Sequence, residues 1–172
     1  MADLEARLAA LEAEVRQLKD RLAIQQVISR YGPLVDCTAA DPERLDKVAE
    51  YFGEEGIYDL SEDAKFNGPE FAATLTGPLH QGFVTAGSTH VLSMPYVLVD
   101  GDRATALGYS HVFQNAHDGG FKVARASVNY WEFARRDGEW KVVRRVNRLA
   151  DGTEEPRRLL FRVDERALPE AG

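Results

Sequence analysis

Residues 127–148 read SVNYWEFARRDGEWKVVRRVNR, two runs rich in Val, Tyr, Phe and Trp that meet at Asp137-Gly138. Apolar residues at alternate positions mark strands that bury one face, and Asp-Gly supplies the positive φ angles of a tight hairpin turn. Counting outward from a two-residue loop sets Ser127 opposite Arg148 and Asn129 opposite Val146. Their face also carries Trp131, Phe133, Trp140 and Val142, so polar groups gather at one end of an apolar surface.

Upstream, residues 90–113 read HVLSMPYVLVDGDRATALGYSHVF and repeat the pattern around Asp100-Gly101. The same count pairs Val99 with Asp102 and puts His90 opposite His111, on a face shared with Leu92, Met94, Tyr96, Leu98, Leu107, Tyr109 and Phe113. Pro95 is the residue able to bulge this strand and shift its register by one. Four strands are predicted, over 90–99, 103–113, 121–136 and 139–149, after a short one at 56–60.

The first third of the chain has helical periodicity. No Gly or Pro occurs from Asp3 to Tyr31, and Leu4, Leu8, Leu11, Val15, Leu18 and Leu22 are spaced alternately by four and three. This is a heptad stripe, suited either to packing on the chain's own domain or to self-association. Beyond Leu22 the apolar phase moves to Ile24, Val27, Ile28 and Tyr31, which points another face of the helix into a core. Pro33 is predicted to kink or end the helix, leaving Asp36 just beyond it. Asp41-Pro42 opens a second helix closed by Gly53, and Gly68-Pro69 opens a third that ends near Leu75. Residues 76–88 read as a connection, so His80 there and His117 in AHDGG receive no role. Helices first and antiparallel strands after them predict an α+β domain over 23–150, with a heptad extension at 1–22 and a tail at 151–172. In that tail Leu159, Leu160, Phe161 and Val163 are candidates for a last packed segment.

The 172 residues carry a net charge of −7, with the acids concentrated in 36–70 and an excess of arginines in the last strands. The acidic balance argues against a binder that tracks phosphates, and no apolar run approaches the roughly 18 residues of a membrane helix. Cys37 is the single cysteine, so no internal disulfide is possible. The N-terminus lacks the basic-then-apolar layout of a signal peptide, which predicts a cytoplasmic protein. Zinc spacings, phosphate loops, dinucleotide fingerprints and nucleophile elbows are all absent. Two histidines and an aspartate suit iron as well as a hydrogen-bonded pair, and local spacing does not select between them.

An apolar concavity with a few convergent polar groups describes a small-molecule site. Each candidate also has an ordinary structural role: His90 or His111 as a hydrogen-bonded strand residue, Ser127 and Asn129 as partners of backbone groups. Arg148 would equally suit a strand end, Asp36 a cap, and Tyr58 and Tyr109 core positions. Their convergence favours a site.

The segments IQQVISRYGPLVD (24–36), YFGEEGIYDL (51–60), THVLSMPYVLVDGDRATA (89–106) and SVNYWEFARRDGEWKVVRRVNR (127–148) together resemble the SnoaL-like branch of the nuclear transport factor 2-like superfamily. The resemblance covers roughly residues 20–150. It implies a cone-shaped α+β barrel, in which a curved antiparallel sheet wraps a pocket closed by N-terminal helices. The polar set is most similar to scytalone dehydratase and bile-acid 7-alpha-dehydratase. That resemblance implies an Asp36–His90 dyad, with His111, Tyr58, Ser127 and Asn129 matching the first enzyme and Tyr31 and Arg148 the second. Val35 stands where scytalone dehydratase has a tyrosine, and the bile-acid enzyme lacks a histidine at position 111, so neither substrate transfers.

The expectation is therefore a cofactor-independent and metal-independent lyase. It would remove water from an apolar, cyclic, carbonyl-bearing substrate of steroid- or polyketide-like shape. Asp36 orients His90 as the base, Tyr58 and Arg148 stabilise the enolate, and His111, oriented by Ser127, protonates the leaving group. Tyr31, Tyr109, Ser127, Asn129, Trp131 and Arg148 bind substrate. An isomerase or polyketide cyclase would share the first step, and a non-catalytic binding or assembly module would use the same pocket or the heptad helix. A homo-oligomer, with a trimer preferred, is implied by the resemblance.

Overall fold

The computed structural model describes residues 2–38, 41–116 and 118–165; His117 and the end of the tail lie outside them. Helix α1 (Ala2–Cys37) continues through Pro33, so the proline does not end it. Proline removes the hydrogen bond to the carbonyl four residues earlier, that of Ser29. Pro33 and Ser29 are both exposed, where a freed carbonyl costs little, and the helix carries Asp36 within its last turn. The six heptad residues are all exposed, whereas Ile24, Ile28, Tyr31, Leu34 and Val35 are buried. The change of apolar phase after Leu22 is thus a change from a solvent-facing stripe to a core-facing one.

A 3-10 turn at Pro42–Arg44, begun by Asp41 accepting the Glu43 amide, leads into helix α2 (Leu45–Phe52). Strands β1 (Ile57–Ser61) and β2 (Ala64–Phe66) form a small hairpin, of which only the first strand is predicted from the sequence. Asn67 and Glu70 make a reciprocal capping box on helix α3 (Gly68–Thr74). The predicted connection at 76–88 instead contains helix α4 (Pro78–Thr85), with Pro78 in its first turn.

Strands β3 (Ser88–Leu92), β4 (Tyr96–Asp100), β5 (Arg103–Asn115), β6 (Phe121–Arg136) and β7 (Glu139–Leu149) complete the sheet. Its order is β2-β1-β7-β6-β5-β3, with β4 also on β5. All neighbours are antiparallel except β1 and β7, which run parallel. The sheet is curved and does not close. Its inner face packs on α1, α2 and α3 through Val97, Ala104, Ala106, Trp131, Phe133, Trp140 and Val142. The outer face holds Leu107, Val128, Tyr130 and Val146 under helix α5 (Glu154–Leu160). In the tail Leu159 and Leu160 pack there, while Phe161 and Val163 stay exposed.

Two irregularities reset the predicted faces. Residues 93–95, which include Pro95, separate β3 from β4, and the hairpin loop lies one residue later than predicted, pairing Asp100 with Arg103. His90 therefore pairs with Val112 and His111 with Val91, and adjacent residues of a strand face opposite sides. The predicted His90–His111 pair is overturned: His111 and Tyr109 lie on the outer face, as do Tyr96 and Leu98. In the last hairpin the predicted count holds from Arg136–Glu139 to Phe133–Val142, and then a bulge shifts it by one. Ser127 pairs with Leu149, Asn129 with Asn147 and Trp131 with Arg145, which turns Arg148 outward and Arg145 inward.

Candidate active site

The last two turns of α1 pack against β3 at His90. Gly32 lies against the backbone of His90, where a Cβ would come within 2.2 Å of the His90 carbonyl oxygen. One helical turn later Asp36 stands over the same strand. Its Oδ2 accepts the His90 amide at 2.9 Å, and its Oδ1 lies 2.6 Å from His90 Nδ1. The carboxylate thus holds His90 by backbone and ring together, which selects the tautomer with the proton on Nδ1 and leaves Nε2 for other chemistry. Both side chains are partly open to solvent, 25% for Asp36 and 17% for His90.

His80 is not in a connection but buried on α4, with its ring centre 6.4 Å from that of His90 and the two planes at 29°. Its Nε2 is buried without a hydrogen-bond partner. Burial holds the His80 pKa below the usual histidine value, the neighbouring His90 adds to this, and Asp36 opposes it. The nearest sequence signal was Gly77-Pro78, a helix start inside a stretch read as irregular.

Deeper in the cone the inner face carries a polar chain. Arg145 donates through Nε and Nη2 to Asn129 Oδ1 at 2.9 and 2.7 Å, Asn147 donates to the same oxygen, and Asn129 donates to Ser110. Arg125 reaches Ser127 and Asn147. Arg145 is 1% exposed, and no carboxylate among the described residues pairs with it. Its guanidinium lies instead against Tyr31, Trp131 and Tyr58, 3.9, 4.4 and 4.6 Å from the ring centres. Nη1 is buried and unpartnered. Burial, followed by the proximity of Tyr58, raises the Tyr31 hydroxyl well above the usual tyrosine value, against the opposing pull of Arg145.

Tyr31, Tyr58, Ser127, Asn129 and Trp131 all lie on the inner side with Arg145, while Asp36 stands in the last turn of α1 and His90 on β3. His111, Tyr109 and Arg148 do not lie on the inner side. His111 stands beside Phe113 on the outer face, where Ser127 cannot orient it. Arg148 donates to buried Asp59 and to Glu155, closing an outer ion cluster with Arg144. A surface groove of ≈ 540 Å³ under α1, lined by residues including Asp20, Tyr51 and Trp140, contains none of Asp36, His80 or His90. Among the described residues no three His, Cys, Asp or Glu side chains group to hold a metal, and no helix is long and apolar enough to cross a membrane.

A model of the SnoaL-like domain matches residues 16–146. The chain belongs to the SnoaL-like family. The SnoaL-like chain is 36% identical to an NTF2-like protein with a cystatin-like fold from Novosphingobium aromaticivorans. That match covers 89% of this chain and 96% of the other, with a TM-score of 0.80. More distant structures share the fold. A candidate scytalone dehydratase from the same species is 16% identical over 78% of this chain and 86% of its own, with a TM-score of 0.60. A hexachlorocyclohexane dehydrochlorinase from Novosphingobium barchaimii is 20% identical over 80% and 90%, with a TM-score of 0.59. No curated protein matches the SnoaL-like chain. The family binds small molecules and includes both enzymes and non-catalytic members.

Proposed function

We propose that the protein is a cofactor-independent lyase that eliminates water, or a comparable leaving group, from an apolar cyclic substrate bearing a carbonyl. The observation that carries this reading is the two-point grip of Asp36 on His90. His90 Nε2 takes the proton next to the carbonyl, and Asp36 stabilises the imidazolium that results, a form of catalysis typically worth about 10²- to 10⁴-fold. The electron pair moves into the carbonyl as an enolate, whose charge the unpaired Nη1 of Arg145 meets in a dry, aromatic-walled site. Arg145 thus takes the part expected of Arg148. Tyr31 and Tyr58, flanking the guanidinium, contact the substrate ring.

As the enolate collapses the carbon–oxygen bond breaks, and the departing hydroxyl needs a proton. His80 replaces His111 here. Neutral His80 supplies a hydrogen bond from its unpartnered Nε2, and the proton carried by His90 leaves with the hydroxyl as water. Two relatives of this fold are described as a dehydratase and a dehydrochlorinase, names that both denote eliminations.

The test is turnover of a panel of cyclic β-hydroxy ketones followed by mass spectrometry. Elimination lowers substrate mass by about 18 Da, whereas isomerisation by the same dyad conserves it. His90→Ala and Asp36→Asn are each expected to abolish the mass change while ligand binding persists. Near-wild-type rates in either variant would sink the dyad, and a ligand retained without change by the wild type would point to a binding module.

A further inference from the structure

Residues 4–22 of α1 form an amphipathic helix whose apolar side touches nothing in its own chain. Leu4, Leu8, Leu11, Val15, Leu18 and Leu22 are each 48–70% exposed, in a continuous seam on the order of 27 Å long. The rest of the domain lies on the far side of the helix. Asp20 accepts from Trp140 Nε1 at 3.2 Å and pairs with Arg135 at 2.7 Å; at about 100° per residue it stands roughly opposite Leu18 and Leu22. Another helix can therefore approach the seam without meeting the domain.

The charges beside the seam say which helix. With Leu8, Val15 and Leu22 at a and Leu4, Leu11 and Leu18 at d, the g positions are Arg7, Glu14 and Arg21 and the e positions Glu5, Glu12 and Lys19. All six are exposed, and none makes an ion pair within its own chain among the described residues. In a parallel, in-register pair each g residue faces the e residue five positions later on the other copy. Arg7 then meets Glu12 and Glu14 meets Lys19, twice each by symmetry, and Arg21 meets neutral Gln26; no like charges meet. In the antiparallel arrangement Arg7 meets Arg21, Glu14 meets Glu14 and Glu12 meets Glu12, while attraction remains only between Glu5 and Lys19.

We infer that this leader is a parallel, two-stranded coiled coil with a second copy of the chain. Leucine at every d position suits two strands, as does β-branched Val15 at the central one of the three a positions, the other two being Leu8 and Leu22. Three heptads are short for an isolated coil, but each helix continues into a packed domain, so its costly first turn is already formed.

Sedimentation equilibrium of the full-length chain tests this. A mass of twice 19.2 kDa is expected, falling to one chain in Leu11→Glu/Leu18→Glu, with far-UV circular dichroism retained because these side chains pack on nothing within the chain. Arg7→Glu is expected to weaken association on the order of tenfold, and Arg7→Glu/Glu12→Lys to restore it. A monomer throughout the micromolar range, a three-copy mass, or an assembly indifferent to the leucine variants overturns the inference. Tightening by Arg7→Glu would do so as well, since it converts the antiparallel Arg7–Arg21 repulsion into attraction.

Discussion

A buried guanidinium without a carboxylate partner is costly unless other groups replace the lost water. Around Arg145 the replacements are two hydrogen bonds to Asn129 and three aromatic faces. An apolar residue there would avoid the cost of desolvating a charge that no anion pairs, and Asn129 Oδ1 would keep its hydrogen bond from Asn147. Arg145→Met is therefore expected to change unfolding free energy by less than about 2 kcal/mol, measured by urea titration. The same variant should lower turnover about 10²- to 10³-fold. A large loss of stability with turnover unchanged would make Arg145 a structural residue. Gly32 has the opposite character, since its lack of a side chain is what admits the His90 backbone. Both residues were visible as letters in YGPLVD and VVRRVNR, but the contacts that distinguish Arg145 from Arg148 were not.

Between elements, the outer ion cluster fastens β1 to β7 and α5. Asp59 is buried and takes Arg148 at 2.7 Å and Arg144 at 2.5 Å. Burial works to raise its pKa, but the hydrogen bonds from Arg144 and Arg148 outweigh this and hold it below the usual aspartate value. A carboxylate held low stabilises the fold above its unfolded pKa, and that contribution is lost as pH falls through its folded pKa. Asp59→Asn is expected to cost about 3 kcal/mol near neutrality, leaving two arginines without their shared anion. The stability curves of variant and wild type should converge in acid, at pH values below the ordinary aspartate range; parallel curves down to acid unfolding would contradict the assignment. The two hairpins were legible from Asp100-Gly101 and Asp137-Gly138, and the count outward from Asp137-Gly138 held as far as Val142. Beyond each irregularity every side chain reversed its face, because strand alternation has a period of two and a single extra residue inverts it.

At the scale of the molecule, α4 is the piece that connects the helical side to the site. It brings buried His80 against His90, with Asp36 behind. Because the folded pKa of His80 lies below the unfolded value of 6.5, the unfolded chain binds more protons as pH falls through that value, and stability declines from about pH 6.5 downward. His80→Gln is expected to flatten this decline in Tm, and an unchanged pH profile in the variant would show that His80 does not titrate with unfolding. The acids of 36–70 mostly sit at the surface of the helical side. The informative exceptions are Asp36 and Asp59, one at the site and one at the opposite face of the sheet.

Local periodicity determined what the sequence could determine by itself. The heptad stripe, its change of phase after Leu22, the alternating strands and the tight turns depend on residues within a few positions of one another, and together they specify helices followed by an antiparallel sheet. Tertiary structure decided what depends on distant partners: the parallel β1–β7 pairing, the docking of α4, the passage of α1 through Pro33, the turning of Arg145 inward and Arg148 outward, and the placing of His80 rather than His111 beside His90. Each is settled by which side of a strand or helix a side chain occupies once another element packs against it. That is a non-local energy, and a one-residue shift in register reverses its outcome.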